Sequence, residues 1–480
     1  MDGADEPARV PEAGEHALRT VWQLAWPAVA LNALQTVNSL LDSYFIQHLE
    51  ESALTAIGAA TTALWLLVSL SMAIGVAATA MVSRAYGEGN AEKYREANRK
   101  CLGFSVIGGL ALTGLAIPLS WPTAGFLIPA DSQRAIELMI SYLALVAPVL
   151  PAMFVIQTLA GSLRGIGDTK SPMVISGIQI LLPIVLKYFL IFPSRTVDVF
   201  GFAVWLPGAD LRLAGAAWSL VISAWISAVI YLAWCIRTPL GEVWRIRLPG
   251  LDWARRIFRL AAPAALMSVV RVTSLMGFMA VLKLVPDGEI AIGSIRPGFS
   301  IEALAFMPSF GLAIAASALV GQSLGMRDPA RASRLGWMAA HQAGIVSTVA
   351  AIIIFIFADP ISSLLLPDKP DFAAMTASYL RHICATETLF GYAMVLVSAM
   401  QGAGDTRRPF WLTLICMWGI RVPLAAFLAL PALNLYFVQF QHGLALGSRG
   451  CWMSMAITQA VQGIVAIWLW KRGRWAEAEV

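Results

Sequence analysis

The sequence predicts an all-α polytopic membrane protein, with twelve transmembrane helices in two six-helix bundles related by a pseudo-twofold axis. Three observations predict it: an apolar composition, uncharged runs long enough to cross a bilayer, and a first half that recurs in the second. Of 480 residues, 58% are hydrophobic and only 13% charged, with a mean hydropathy of +0.71. A soluble domain carries roughly twice that share of charge, and no soluble core could hide this much apolar surface. Runs such as Ala53 to Val82 and Leu335 to Ala358 contain no Asp, Glu, Lys or Arg. About 20 helical residues cover a hydrocarbon core of roughly 30 Å, so each run can span it. Backbone amides in lipid must be paired internally, and the alternating ten-residue segments of a membrane barrel are missing, so the spans are helices. They fall at about 20–47, 53–83, 101–122, 135–163, 170–193, 213–237, 257–285, 290–322, 335–358, 372–401, 409–431 and 449–470.

The five cysteines, Cys101, Cys235, Cys384, Cys416 and Cys451, lie in or beside apolar runs, with neither a CxxC pair nor a metal-ligand spacing. They read as small core hydrophobes, and no cofactor or metal is expected. The first sixteen residues are polar and mostly acidic, without the basic start and cleavage site of a signal peptide, so the first helix is expected to remain as a span. With a cytoplasmic N-terminus, most of the 34 lysines and arginines fall in the tails and even-numbered loops. Only Arg134, Arg195, Arg212, Lys283, Lys369 and Arg449 fall in odd-numbered loops. The positive-inside rule therefore places both termini in the cytoplasm. The net charge of +5 is a signal of topology, and nucleic-acid binding is not expected.

The second half repeats the first in register. LAWPA at 24–28 matches LAAPA at 260–264; Val82 and Gly87 match Val320 and Gly325; Ser141-Tyr142-Leu143 matches Ser378-Tyr379-Leu380; and RGIGDTKSP at 164–172 matches QGAGDTRRP at 401–409. Six helices per half is an even number, so both halves enter from the same side, the parallel kind of transporter repeat, and a cleft between them is the expected substrate path. The expected organisation is an N-terminal tail (1–16), an N-lobe (17–237), a cytoplasmic linker (238–256), a C-lobe (257–470) and a C-terminal tail (471–480). Trp253, Arg255, Arg256 and Arg259 suggest a surface-lying helix at the join.

These landmarks resemble the multidrug and toxic compound extrusion (MATE) family: a proline early in helices 1 and 7, VGQSLG after helix 8, and G-x-GDT-[KR]-x-P after helices 4 and 10. The resemblance runs from about Trp22 to Trp470 and implies a twelve-helix carrier. Such a carrier alternates between inward-open and outward-open states and exports amphipathic organic compounds in exchange for Na⁺ or H⁺. The setting it implies is the cell (inner) membrane, and a monomer is expected.

Candidate site residues are the polar groups that lipid would not tolerate. Gln35, Asn38 and Asp42 form one stripe at i, i+3 and i+7 on the first helix. In the family resembled, this aspartate is a frequent cation or proton site; the alternative is a hydrated group at the outer helix end. LLPIVLKYFLIF puts Pro183 and Lys187 where relatives commonly hold Asn and Asn or Asp. Lys187 then either takes the place of a bound cation beside Asp42 or snorkels to the surface. The second half places Arg271, Arg296, Glu302, Arg381, His382, Glu387 and Arg421 within spans. Acidic residues of helices 7, 8 and 10 couple the ion in some relatives, which would map onto Glu302 and Glu387; at the helix 7 position stands Arg271. Protons fit better than sodium, because arginines repel a metal cation. A fixed salt-bridge network is the structural alternative. Counted as buried, the bases outnumber Asp42, Glu302 and Glu387, which leaves an anionic or zwitterionic substrate open. Pro27 and Pro263 are candidate gating kinks, each removing an amide donor.

Rival classes fare less well. An intramembrane aspartyl protease would use GxGD, present at Gly165 to Asp168 and Gly402 to Asp405, but both fall at a cytoplasmic helix end beside a base, where Asp suits the helix dipole. No GxxxxGK[ST] phosphate loop occurs, so energy must come from an ion gradient. A flippase for lipid-linked or anionic amphiphiles is the nearer rival, and a channel would need a pore-loop signature that is missing.

Overall fold

The structure, a computed structural model, describes residues 26, 34, 38, 51–128, 132–199, 202–241, 245, 247–435, 438–440 and 443–478. Among them the chain is a succession of long apolar helices, and two compact units emerge. One gathers the described residues of 30–85 and 90–259; the other gathers those of 1–29, 86–89 and 260–480.

In the first unit α1 (Glu51–Gly87) and α2 (Ala91–Leu127) are joined by a tight turn. Asn90 caps α2, its side chain accepting from the Lys93 amide at 3.1 Å. The next span is broken into α3 (Gln133–Val146) and α4 (Val149–Gly165), bent by 48°. Pro148 explains the break, since it lacks an amide and crowds the preceding turn. Two carbonyls at the break take side-chain donors: Trp225 Nε1 reaches Pro148 O at 3.0 Å, and Thr113 Oγ1 reaches Ala147 O at 3.2 Å. Glycine lets α4 lie directly on α1, because a Cβ on Gly161 would stand 2.3 Å from Gly75 O. After α5 (Lys170–Ile191) comes an antiparallel hairpin of β1 (Pro193–Val199) and β2 (Phe202–Ala209), then α6 (Arg212–Cys235).

The second unit repeats this order with its own features. It runs α7 (Leu251–Lys283), whose first turns still belong to the first unit, α8 (Gly288–Gly325), α9 (Pro329–Ile356) and the short α10 (Ala358–Leu365). A second broken span follows, α11 (Pro370–Cys384) and α12 (Glu387–Gly402), bent by 59°. The next span joins α13 (Arg407–Leu414), a π-helical stretch (Ile415–Arg421) and α14 (Val422–Ala429). A short hairpin, β3 (Leu433–Leu435) with β4 (Val438–Phe440), precedes α15 (Ser448–Lys471). Its core lies in two clusters, one around Leu312, Leu396 and Trp470 and the other around Phe278, Tyr379 and Trp452. The chain then turns at Gly473 (φ +71°) and stacks Trp475 on Trp470 with ring centroids 4.0 Å apart.

The described residues hold nine helices long and apolar enough to cross a membrane, and eleven when each bent pair counts as one span. Trp26, Leu34 and Asn38, from the stretch where the first span is expected, are also helical. The hairpins are additions to the all-α expectation, and each sits between the same two spans of its half. Pro193, read from sequence as the end of a helix, instead opens β1, where its missing amide costs least. The expected surface-lying helix at the join is also different. Trp253, Arg255, Arg256 and Arg259 form the first turns of α7, which runs unbroken through Pro263. The strap before it is held to α2: Arg95 Nε donates to Pro239 O at 2.9 Å and Lys100 Nζ to Leu248 O at 3.2 Å.

Candidate functional site

Lipid-spanning helices seldom bury ionisable groups, so the ones found buried mark a site. In the second unit Glu302, Glu387 and Arg421 are buried, at 6%, 0% and 8% exposure. Glu302 lies mid-way along α8. The Tyr379 hydroxyl on α11 donates to Glu302 Oε2, and Gln459 Nε2 on α15 donates to Oε1 at 3.3 Å. Thr386, in the break between α11 and α12, fixes the orientation of that amide by donating to Gln459 Oε1 at 3.0 Å. Arg421 ends the π-helical stretch, close enough to Glu302 and Tyr379 to interact electrostatically, and its Nε has no hydrogen-bond partner.

Glu387 is the opposite case. It opens α12 just past the bend and feels the charge of Glu302, yet neither of its carboxylate oxygens has a hydrogen-bond partner. Two buried carboxyl groups thus lie close enough to interact, one clamped by two donors with a guanidinium nearby, the other without a partner. Two carboxyl groups within each other's field are an arrangement able to hold a proton between them.

Packing holds Tyr379 in place. It meets Trp452 edge-on, with centroids 5.1 Å apart at 82°, and lies against Gly298, where a Cβ would stand 2.6 Å from the ring. The Tyr379→Phe variant keeps that packing and removes the donor to Glu302. It is expected to lower stability by about 1.5–3 kcal/mol, the usual worth of a hydrogen bond to a charged group. A thermal melt of purified protein checks this; an unchanged melting temperature would refute it.

The described structure brings together only some of the residues expected from sequence. Arg296 is exposed, because it lies six positions before Glu302, about one and two-thirds turns of α8, and so on another face. Arg381 is half-buried and pairs with Asp359 of α10, while His382 Nδ1 lies 2.7 Å from the Ser378 carbonyl of its own helix. Arg271 is exposed, and interacts electrostatically with Arg421. Of the bases expected to be buried, Arg421 and Lys187 are buried among the described residues, against Glu302 and Glu387, so the expected excess of buried bases is not seen among them. In the first unit Lys187 is buried at 4% exposure, and Asn38 is helical with a buried Oδ1 that has no partner. Gln35, Asp42 and Pro27 lie outside the described residues.

The aspartates of the two GxGD elements stand just before the N-caps Thr169 and Thr406 and bond the first helical turn. Asp168 accepts from the Ser171 amide at 3.0 Å and from its hydroxyl, and Asp405 accepts from the Arg408 amide at 3.3 Å and its guanidinium at 2.6 Å. Both carboxylates are engaged at helix starts, which removes the protease reading.

Sequence reasoning missed Tyr379, Gln459 and Thr386. Tyr379 had been visible only as part of a repeated tripeptide, and neutral polar residues are too common in apolar runs to stand out. At the spacing of that repeat, Trp65 occupies the place of Glu302 and Leu150 that of Glu387.

A family model described as MatE matches residues 27–189 and 263–427, one stretch in each half of the repeat. The chain belongs to the MatE family. Its MatE relatives include the probable multidrug resistance protein NorM of Thermotoga maritima, 25% identical over 98% of this chain and 95% of that one. The multidrug resistance protein MdtK of Proteus mirabilis is also 25% identical, over 93% of each chain. Among solved structures, one described as MATE in complex with MaD3S superposes with a TM-score of 0.82 at 21% identity, covering 96% of this chain and 97% of that one. A superfamily transporter from Pyrococcus furiosus, described as having a binding pocket of reversed polarity, gives 0.82 at 20% identity with the same coverage. These likenesses show that the MatE fold runs through nearly the whole chain.

Proposed function

We propose that this MatE protein is a secondary active antiporter that exports amphipathic organic compounds across the cytoplasmic membrane, by alternating access, in exchange for protons. The multidrug resistance names of its relatives support the substrate class. The observation that carries the coupling is the buried pair of Glu302 and Glu387, one clamped and the other without a partner. Arg421 beside Glu302 repels a metal cation but tolerates a proton, which disappears into a neutral carboxylic acid. Lys187 and Asp42 are proposed as a second, switchable pair in the N-lobe, with Asn38 and Gln35 on the same helix stripe as Asp42. Arg271 is proposed to meet substrate from its exposed position, and Pro27 and Pro263 to serve as gating points.

Purified protein in liposomes with a fluorescent organic cation tests this. An imposed pH gradient is expected to drive accumulation at least about tenfold faster than a Na⁺ gradient at uniform pH, since removing the driving ion removes the coupled step. Equal drive by sodium would overturn proton coupling.

A further inference from the structure

The join between the halves carries a feature that transport of a small molecule does not use. The first turns of α7 expose Leu251, Asp252, Arg255, Arg256, Phe258 and Arg259. Leu251 is 89% exposed and Phe258 62%, and Leu248, just before the helix, is 69% exposed. Leu251, Arg255, Phe258 and Arg259 follow one another at i, i+4, i+7 and i+8, so large apolar groups and guanidiniums share one face. Among the described residues, Arg255, Arg256 and Arg259 make no ion pair, although Asp252 precedes Arg256 by four positions.

Standing alone, this arrangement is unfavourable. Arg255 and Arg259 are like charges one turn apart, and all three arginines lie near the positive end of the helix dipole. The exposed Leu and Phe side chains add apolar surface with nothing over it. An anion on the arginines, with hydrocarbon over the apolar groups, would relieve both.

The length of α7 says where this face sits. Its 33 residues make a rod of about 50 Å, against a hydrocarbon core of about 30 Å. Residues 251–259 therefore project to the level of the headgroups while the apolar remainder crosses the bilayer. Just before the helix, Lys100 of α2 donates to Leu248 O at 3.2 Å, which ties the start of α7 to that helix. Guanidiniums bind phosphate through paired N–H donors.

We propose that the start of α7 is a binding surface for anionic phospholipid headgroups, with Arg255, Arg256 and Arg259 holding the phosphate and Leu251 and Phe258 lying among the acyl chains. This reading is independent of the ion that drives transport.

The test uses full-length protein and the variant R255Q/R256Q/R259Q. Both are purified from vesicles of equal phosphatidylglycerol and phosphatidylcholine, and the lipids that stay bound are counted by native mass spectrometry. Each basic residue at an anionic surface contributes roughly fivefold to binding. The wild type is expected to prefer phosphatidylglycerol, the preference falling as salt rises, and the variant to lose at least about tenfold of it. The lysine variant R255K/R256K/R259K is expected to keep more than the glutamine variant. A glutamine variant with unchanged preference would overturn the proposal, as would displacement of the lipid by millimolar inorganic phosphate. If the glutamine variant cannot be purified, the wild type decides: no preference, or one insensitive to salt, overturns it.

Discussion

Glu387→Gln is expected to abolish ion-driven transport, by at least about 100-fold, the scale of losing a group that gives and takes the proton, while leaving the protein at least as stable. The two halves of this outcome come from one observation. Glu387 is fully buried and neither oxygen has a hydrogen-bond partner. An amide of the same size fills the same space and cannot ionise, and neither oxygen has a hydrogen bond to lose, so the fold should not weaken. Glu302→Gln should behave differently. Its two oxygens accept from Tyr379 and Gln459, and an amide can accept at only one end, leaving one donor facing an NH₂. That variant should lose coupling and about 1–3 kcal/mol of stability together. Proteoliposome transport with parallel thermal melts separates the two. Wild-type transport in Glu387→Gln would remove the site from the coupling mechanism.

Gly402→Ala is expected to cost about 3 kcal/mol or more, at the upper end of overpacking effects, and Gly165→Ala, its counterpart in the first half, far less. A Cβ on Gly402 would stand 2.0 Å from the Ser317 carbonyl oxygen and 2.6 Å from its carbonyl carbon. Both are backbone atoms of α8, so the two helices would have to part. At Gly165 the nearest atom is Ser83 N at 3.1 Å, which a shift of a few tenths of an ångström accommodates. Denaturation of the two variants in detergent tests the contrast, and equal melting temperatures would contradict it. The pair shows that a duplicated motif does not carry duplicated tolerances.

The spans were legible because the bilayer imposes a length and a polarity that single residues cannot disguise, and the repeat was legible through GDT and the early prolines. The hairpins were not, because β1 opens at Pro193 directly after an apolar helix, and its charges, Arg195 and Asp198, read equally well as those of a loop. Charge within a span proved a weaker guide. Arginine has a long side chain, so a position inside an apolar run does not fix where its head goes: Arg296 and Arg271 are exposed, Arg381 reaches Asp359, and Arg421 alone of these stays buried. Glutamate is shorter and follows its backbone, so Glu302 and Glu387 were found where the sequence placed them. What determined their chemistry, the partners on α11 and α15, depends on packing between segments far apart in the chain.

The π-helical stretch at Ile415–Arg421 has a consequence for how this half could have arisen. Pro423 cannot donate to the carbonyl four residues earlier, and a widened turn just before it absorbs that defect. A widened turn also stores one surplus residue in the same axial length, so side chains on either side of it are out of phase with a regular coil. Deleting a single residue between Cys416 and Ile420 would restore ordinary winding and rotate the guanidinium at the end of the stretch by about a quarter turn relative to the segment before it. An insertion of one amino acid in an ancestral rod is thus enough to have swung a cation toward an acidic neighbour.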